Sequence, residues 1–297
     1  VPAATSSMNW TDYDNDGDLD LYSSVRINFE TLPAPGNFGS RNSLFRNEGD
    51  GTFTDVTEAA GVGSTLGGMT SAWGDLDRDG WVDMYVPNHE PPSFHFYRNN
   101  QDGTFTEMDI DPEDLALRTR AVWAASMADF NNDGWLDIMS FARGNPPSPD
   151  SHGLFINNGN WRFSNGAKAA GLVPDGEPVP TVMGTAVGDY DNSGYPDIFM
   201  GNGGPLFTER DRLYRSLGIV ANYEMPRCQP GQPASVDTSR LEGWDVDPCE
   251  PPYPYRGHGT VFLDYDRDGD LDLIMVKGGT AIIAPDVWSG EPNRLYR

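Results

Sequence analysis

The chain has 297 residues and a formal charge of −25, with 45 acidic side chains against 20 basic ones. A surface that acidic repels phosphate, which makes nucleic acids and anionic membranes poor partners. No apolar run approaches the roughly 18 residues that a membrane-spanning helix needs. The 34 glycines and 24 prolines are many for helices and ordinary for short strands joined by turns.

In chain order, the first patterned stretch is DYDNDGDLD, Asp12 to Asp20. Carboxylates stand at Asp12, Asp14, Asp16 and Asp20, with Gly17 at a sharp turn and apolar residues at Leu19, Leu21 and Tyr22. Oxygen ligands spaced two apart on a tight loop suit a hard cation, and suit calcium's flexible geometry better than magnesium's octahedron. The lack of His or Cys beside them argues against zinc and copper. A strand at Leu44–Asn47, a turn at Glu48–Gly51 and an alternating strand at Thr52–Val56 then read as a hairpin.

The same unit recurs four times. Ser71–Gly74 leads into DLDRDGWVD, with Asp75, Asp77, Asp79 and Asp83, and strands at Phe96–Asn99 and Thr104–Thr106 follow. Ala124–Met127 leads into DFNNDGWLD, with Asp129, Asn131, Asp133 and Asp137, and Leu154–Asn157 follows. Gly184–Val187 leads into DYDNSGYPD, with Asp189, Asp191, Ser193 and Asp197, and Leu213–Arg215 follows. The last copy, DYDRDGDLD, sets Asp264, Asp266, Asp268 and Asp272 around Leu271–Val276.

The first carboxylates of successive loops lie 63, 54, 60 and 75 residues apart, the size of a propeller blade and too short for a domain. Small side chains suit an innermost strand near a crowded axis, and four antiparallel strands per repeat make a blade. The expected fold is all-β, a β-propeller of four-stranded antiparallel blades in one domain, 1–297. The blades fall at about 6–57, 70–108, 122–166, 182–223 and 258–297, with an insertion at 224–257. The fifth repeat ends in its third strand at Leu295–Arg297, so the expectation covers a five-bladed ring or part of a larger one.

The acidic loop D-x-D-x-D-G-x-x-D and the N-x-G-D-G-T-F turn resemble the FG-GAP/VCBS repeats of integrin-α-like β-propellers, over nearly the whole chain. The wording GDLDRDGWVDMYV and LFRNEGDGTFTDVTEAAGV looks most like the ASPIC/UnbV and cartilage-acidic-protein branch, although the literal Gly-Ala-Pro motif is absent. Members usually close seven blades. The resemblance implies side-chain ligands at loop positions one, three, five and nine and a backbone carbonyl at position seven. Position seven is Asp18, Trp81, Trp135, Tyr195 and Asp270 in the five loops, which are therefore expected to hold about five calcium ions. An EF-hand would need a Glu at the twelfth position; Ser23, Val86, Ser140, Met200 and Met275 stand there and exclude it.

No catalytic residue is expected. His89, His95, His152 and His258 fit no known spacing, and Glu90 and Glu113 are acids with no assigned role. Asn9-Trp10-Thr11 has the form of a glycosylation acceptor. Cys228 and Cys249 read as a disulfide, which favours an extracellular or periplasmic address. In an up-and-down blade the metal loops and short glycine turns share one face, and the long connections share the other. The long connections carry exposed aromatics, with Trp244, Tyr253 and Tyr255 in the cysteine-flanked insertion as the best anchors for a partner. The leading reading is a secreted calcium-binding scaffold for protein interaction or adhesion. Its alternatives are a lectin-like glycan binder and a polysaccharide-cleaving enzyme.

Overall fold

A computed structural model describes residues 4–26, 41–88, 94–110, 122–142, 152–172, 182–202, 212–218, 223–224, 256–278 and 294–296. The chain divides into two compact units, the first made of Val1–Met127, Trp135–Ala142 and His152–Asn165, the second of Ala128–Gly134, Arg143–Ser151 and Gly166–Arg297.

The first unit carries three sheets, each of four antiparallel strands in chain order. Blade 1 runs β1 (Ala4–Thr11), β2 (Asp20–Arg26), β3 (Ser43–Asn47) and β4 (Phe53–Asp55). Blade 2 runs β5 (Ala72–Gly74), β6 (Asp83–Pro87), β7 (Phe94–Asn99) and β8 (Phe105–Glu107). Blade 3 runs β9 (Val122–Ala128), β10 (Asp137–Ala142), β11 (His152–Asn157) and β12 (Phe163–Asn165). A short helix, α1 (Thr57–Ala60), follows β4 and ends on Gly61 at φ 75°; the sequence pattern marks only the strand before it.

The burial pattern explains the strand sequences. A strand packed on both faces cannot alternate, so β6 reads Asp-Met-Tyr-Val-Pro and all five residues are buried. The outer strand β4 is exposed throughout. Tyr13, Tyr22 and Leu44 of blade 1 pack with Met84, Val86, Tyr97 and Phe105 of blade 2. Leu76, Tyr85 and Phe96 of blade 2 pack in the same way with Ile138, Phe155 and Phe163 of blade 3. Each large apolar side chain so buried contributes on the order of 1.5–3 kcal/mol. Blades 1 and 2 thus each have a trailing face covered by the next blade, and blades 2 and 3 a leading face set against the previous one.

The second unit holds a fourth four-stranded sheet and a three-stranded one. The fourth runs β13 (Val182–Gly188), β14 (Asp197–Asn202), β15 (Arg212–Ser216) and β16 (Tyr223–Glu224). The last runs β17 (Arg256–Leu263), β18 (Asp272–Gly278) and β19 (Arg294–Tyr296). Their shared core joins Tyr190, Phe199 and Leu213 to Leu273 and Met275.

One expectation needs correction. Among the described residues four repeats form complete four-stranded blades, not five, because the fifth has three strands. In blade 1, Ala4 pairs with Arg26 and Thr5 with Val25. Among the described residues no helix is long and apolar enough to cross a membrane.

Candidate metal centres

Each acidic loop is closed by its own first carboxylate. Asp12 Oδ1 accepts the N–H of Asp16 at 3.1 Å, and Oδ2 that of Gly17 at 3.0 Å. Asp75 holds Asp79 and Gly80 (3.1 and 2.9 Å), Asp189 holds Ser193 and Gly194 (2.8 and 2.7 Å), and Asp264 holds Asp268 and Gly269 (3.1 and 3.2 Å). Asp129 holds Asp133 and Gly134 (3.0 and 2.7 Å). The sixth position turns at φ 87° to 96° in all five loops, a conformation that favours glycine.

The ninth-position carboxylate ties the loop to the sheet. Asp83 Oδ2 accepts the N–H of Leu76 and Oδ1 that of Asn99, both at 2.9 Å. Asp20 does the same for Tyr13 and Asn47 (3.1 and 2.8 Å), and Asp197 for Tyr190 and Ser216 (3.1 and 2.7 Å). Asp137 takes the N–H of Asn157, and Asp272 that of Tyr265. Asp20, Asp83, Asp137 and Asp197 are wholly buried.

On this frame the first, third and ninth carboxylates converge. Oxygens of Asp12, Asp14 and Asp20 lie within 4.8 Å of one another, as do those of Asp75, Asp77 and Asp83, of Asp189, Asp191 and Asp197, and of Asp264, Asp266 and Asp272. The fifth-position side chains expected as ligands are engaged locally: Asp16, Asp79 and Asp268 each accept the N–H two residues on, at 2.9, 3.0 and 3.0 Å. Asn131 stands in the third position of the third loop, where its amide donates to Asp133 Oδ2 at 2.9 Å.

The residues fit a hard cation. Asp77 Oδ2 accepts from Arg98 Nε (2.8 Å) and Trp161 Nε1 (3.2 Å), while Oδ1 is buried with no hydrogen-bond partner. Asp14 Oδ1 is buried and unpartnered in the same way. Such oxygens hold lone pairs that a cation would fill. Burial pushes Asp83 up to about 7 despite the N–H groups of Asn99 and Leu76. Burial pushes Asp197 up to about 7 and Asp20 up to about 6, and it raises Asp14 together with the charges of Asp16 and Asp12. Asp191 runs the other way: burial opposes its charge, but bonds from Ser193 and Arg215 outweigh that and hold its carboxyl low. A bound positive charge would keep the raised groups ionised.

In three of the repeats the short turn between the third and fourth strands lies beside the acidic loop of the same sheet. A Cβ on Gly49 would meet Asp18, one on Gly159 would meet Trp135, and one on Gly218 would meet Tyr195.

Two sets of residues escape the sequence reading. Asn99 Nδ2 donates to Val82 O (3.1 Å) in its own blade and to Tyr13 O (2.8 Å) in blade 1. Asn157 Nδ2 repeats this, bonding Leu136 O (3.1 Å) and Leu76 O (2.9 Å). In sequence these asparagines read as strand ends before a turn; their recurrence at the end of the third strand is the available signal. The fourth loop position, at positive φ in every copy, reaches a neighbouring loop: Asn15 donates to Gly80 O at 3.2 Å, and Asn132 to Gly194 O at 2.9 Å. Arg78 lies 4.4 Å from the centroid of a Trp135 ring.

Outside the loops, Ser64 Oγ lies 3.3 Å from His95 Nε2, and His95 Nδ1 lies 2.6 Å from Glu107 Oε1. This line has the groups of a nucleophile, a base and an orienting acid. Ser64 is buried, its hydroxyl accepts the N–H of Leu66, and its carbonyl accepts that of Asn42. The arrangement is that of a joint between the loop after blade 1 and the outer strands of blade 2. The amide nitrogen of Asn9, the atom a glycan would occupy, donates to Ser71 O and Oγ. Cys228, Cys249, Trp244, Tyr253 and Tyr255 lie outside the described residues.

The family model for the FG-GAP-like repeat matches residues 12–86 and 89–140. Cartilage acidic protein 1 of Homo sapiens is 31% identical over 229 residues, covering 75% of this chain and 30% of its own length. Integrin alpha-7 of Mus musculus is 28% identical over 235 residues, covering 69% of this chain and 18% of its own. The chain thus spans less than a third of either relative. An Agrocybe aegerita lectin that recognises non-reducing terminal N-acetylglucosamine matches with a TM-score of 0.48 and 17% identity, over 91% of this chain and 60% of that one. A likeness of that size says nothing of function.

Proposed function

Because this chain carries FG-GAP-like repeats, we propose that it is an extracellular or periplasmic calcium-stabilised propeller domain, 1–297, that serves as a scaffold for protein interaction or adhesion. The observation that carries the reading is the recurrence of one carboxylate triplet, within 4.8 Å, on one N–H frame in four loops. When bound, calcium supplies positive charge to carboxylates that otherwise repel one another. The protein's own groups do the rest. The first carboxylate closes the turn, the ninth fixes loop to sheet, and Arg98 and Arg215 hold the outer oxygens of Asp77 and Asp191.

The role is architectural, with catalysis assigned to no residue. Loop carboxylates are committed to backbone and cation, which leaves partner recognition to the long connections and the rim. There the insertion 224–257, pinned by a Cys228–Cys249 bridge, offers Trp244, Tyr253 and Tyr255 to a protein or glycan. The test pairs two readouts: Trp244→Ala weakens capture of a partner with the melting temperature unchanged, whereas Asp266→Ala lowers the calcium-dependent melting temperature. Loss of partner binding on Asp266→Ala alone, with Trp244→Ala and Tyr255→Ala silent, overturns the assignment of the face.

A further inference from the structure

The fourth residue of an acidic loop stands between the third and fifth positions of its own site, yet its side chain meets the next loop along the chain. Asn15 Nδ2 donates to Gly80 O at 3.2 Å, and Asn132 Nδ2 to Gly194 O at 2.9 Å. Asn192 Nδ2 donates to Asp270 Oδ1 at 2.5 Å, one loop position further on. Arg78 replaces asparagine in the second loop, and its guanidinium lies 4.4 Å from the ring centroid of Trp135. All four contacts land on position six or seven of the following loop, and each lies within one compact unit.

The backbone permits this. At the fourth position φ is 54° to 63° in the five copies, the left-handed region that asparagine tolerates better than most residues. What its amide meets is the turn that sets the next site. Gly80 N–H rests on Asp75 Oδ2 at 2.9 Å, and Trp81 N–H on Asp79 Oδ1 at 3.0 Å. Gly80 O and Trp81 N–H belong to one peptide plane, so Asn15 holds one side of that plane while Asp79 holds the other. Gly194 N–H rests on Asp189 Oδ2 in the same way, at 2.7 Å. A rotation of the plane would carry off the donor of Asp79 and displace the Trp81 carbonyl that follows it. Glycine at position six leaves the plane loose, so a brace from outside reduces the ordering that an ion must impose.

We propose that Asn15, Asn132 and Asn192 are positioning residues for the calcium site of the next loop, where each braces the turn at positions six and seven and so raises that neighbour's affinity. The inference rests on the calcium reading of the loops. None of the three is a ligand of either ion; each acts through the turn it holds. The affinity at stake is that of one neutral hydrogen bond, about fivefold.

Asn15→Gly tests it, because glycine keeps the positive φ and removes the side chain alone. Protein isotope-labelled at glycine gives an amide signal for position six of each loop, Gly17 in the first and Gly80 in the second. Solutions of buffered free calcium then yield a separate midpoint for each loop. In Asn15→Gly the Gly80 midpoint rises about fivefold, the worth of the lost bond, while the Gly17 midpoint holds. Asn132→Gly repeats the test in the other unit, read at Gly194 against Gly134, should Asn15→Gly fold poorly. A merely structural tie lowers the melting temperature and leaves both midpoints in place, which overturns the inference. An equal rise at Gly17 and Gly80, or a rise at Gly17 alone, overturns it too. Glycine signals that ignore calcium in the wild type overturn the calcium reading itself, and the inference with it.

Discussion

Asn99 and Tyr13 join two successive blades through one side-chain amide: Asn99 Nδ2 lies 2.8 Å from the Tyr13 carbonyl while its own N–H rests on Asp83 Oδ1 at 2.9 Å. One residue thus links an acidic loop, its own sheet and the neighbouring loop. Asn99→Ala leaves two carbonyls without their donor at a fully buried site, and should lower the unfolding free energy by about 2–3 kcal/mol. Asn47→Ala loses its bonds to Leu19 O and from the Gly49 N–H, both at an exposed site where water replaces them, and should cost well under half as much. Urea denaturation of both variants checks the contrast; equal losses would contradict it.

The orphaned oxygen of Asp77 separates an ion-holding role from a merely structural one. Asp77→Ala should lower the number of bound calcium ions by one, while Arg98→Ala, which removes one of the two partners of the outer oxygen and leaves Trp161, should leave that number unchanged. Calorimetric titration of both variants reads this directly. A full complement of ions in Asp77→Ala would exclude that loop.

The third loop allows the opposite experiment. Asn131 brings an amide where the other four loops have a carboxylate. Ligand charge tunes calcium affinity, so Asn131→Asp should tighten the weakest class of sites by roughly tenfold. An unchanged isotherm would mean that this loop holds no ion.

Gly80 tests the turn itself. At φ 89° it has open space where a Cβ would point, so Gly80→Ala meets backbone strain alone. Left-handed backbone at a non-glycine residue costs about 1–2 kcal/mol, and the melting temperature should fall accordingly. No change in melting would show that the loop relaxes around the substitution.

Ser64 bears on the enzymatic alternative. As a structural joint, it should resist labelling by a fluorophosphonate probe, and Ser64→Ala should have a small effect on stability alone. Covalent labelling at Ser64 in the wild type, lost in Ser64→Ala, would reopen the reading of the chain as a hydrolase.

The blade architecture is legible because its signals are local. Position six needs a positive φ, so a glycine recurs there, and the both-face-buried β6 reads as an unbroken apolar run. The convergence of positions one, three and nine follows from their two-residue spacing and the fixed return at position nine. The contacts that depend on a neighbouring blade are not legible. Nothing near Asn99 in sequence names Tyr13, 86 residues away, and the pairing of Ser64 with His95 and Glu107 exists only where two blades meet. Trp10 and Trp73 look alike as sequence, and only packing shows that one is covered and the other exposed.

The central claim is that the acidic loops hold calcium and that the ions stabilise the fold. The most direct measurement is calorimetric titration of chelator-treated protein with calcium, paired with thermal melts in calcium and in chelator. The account predicts at least four bound ions, one for each carboxylate triplet, and a melting temperature that rises on binding, because an ion taken up by the native state alone stabilises it. No heat of binding, together with melts that coincide in calcium and chelator, would contradict it.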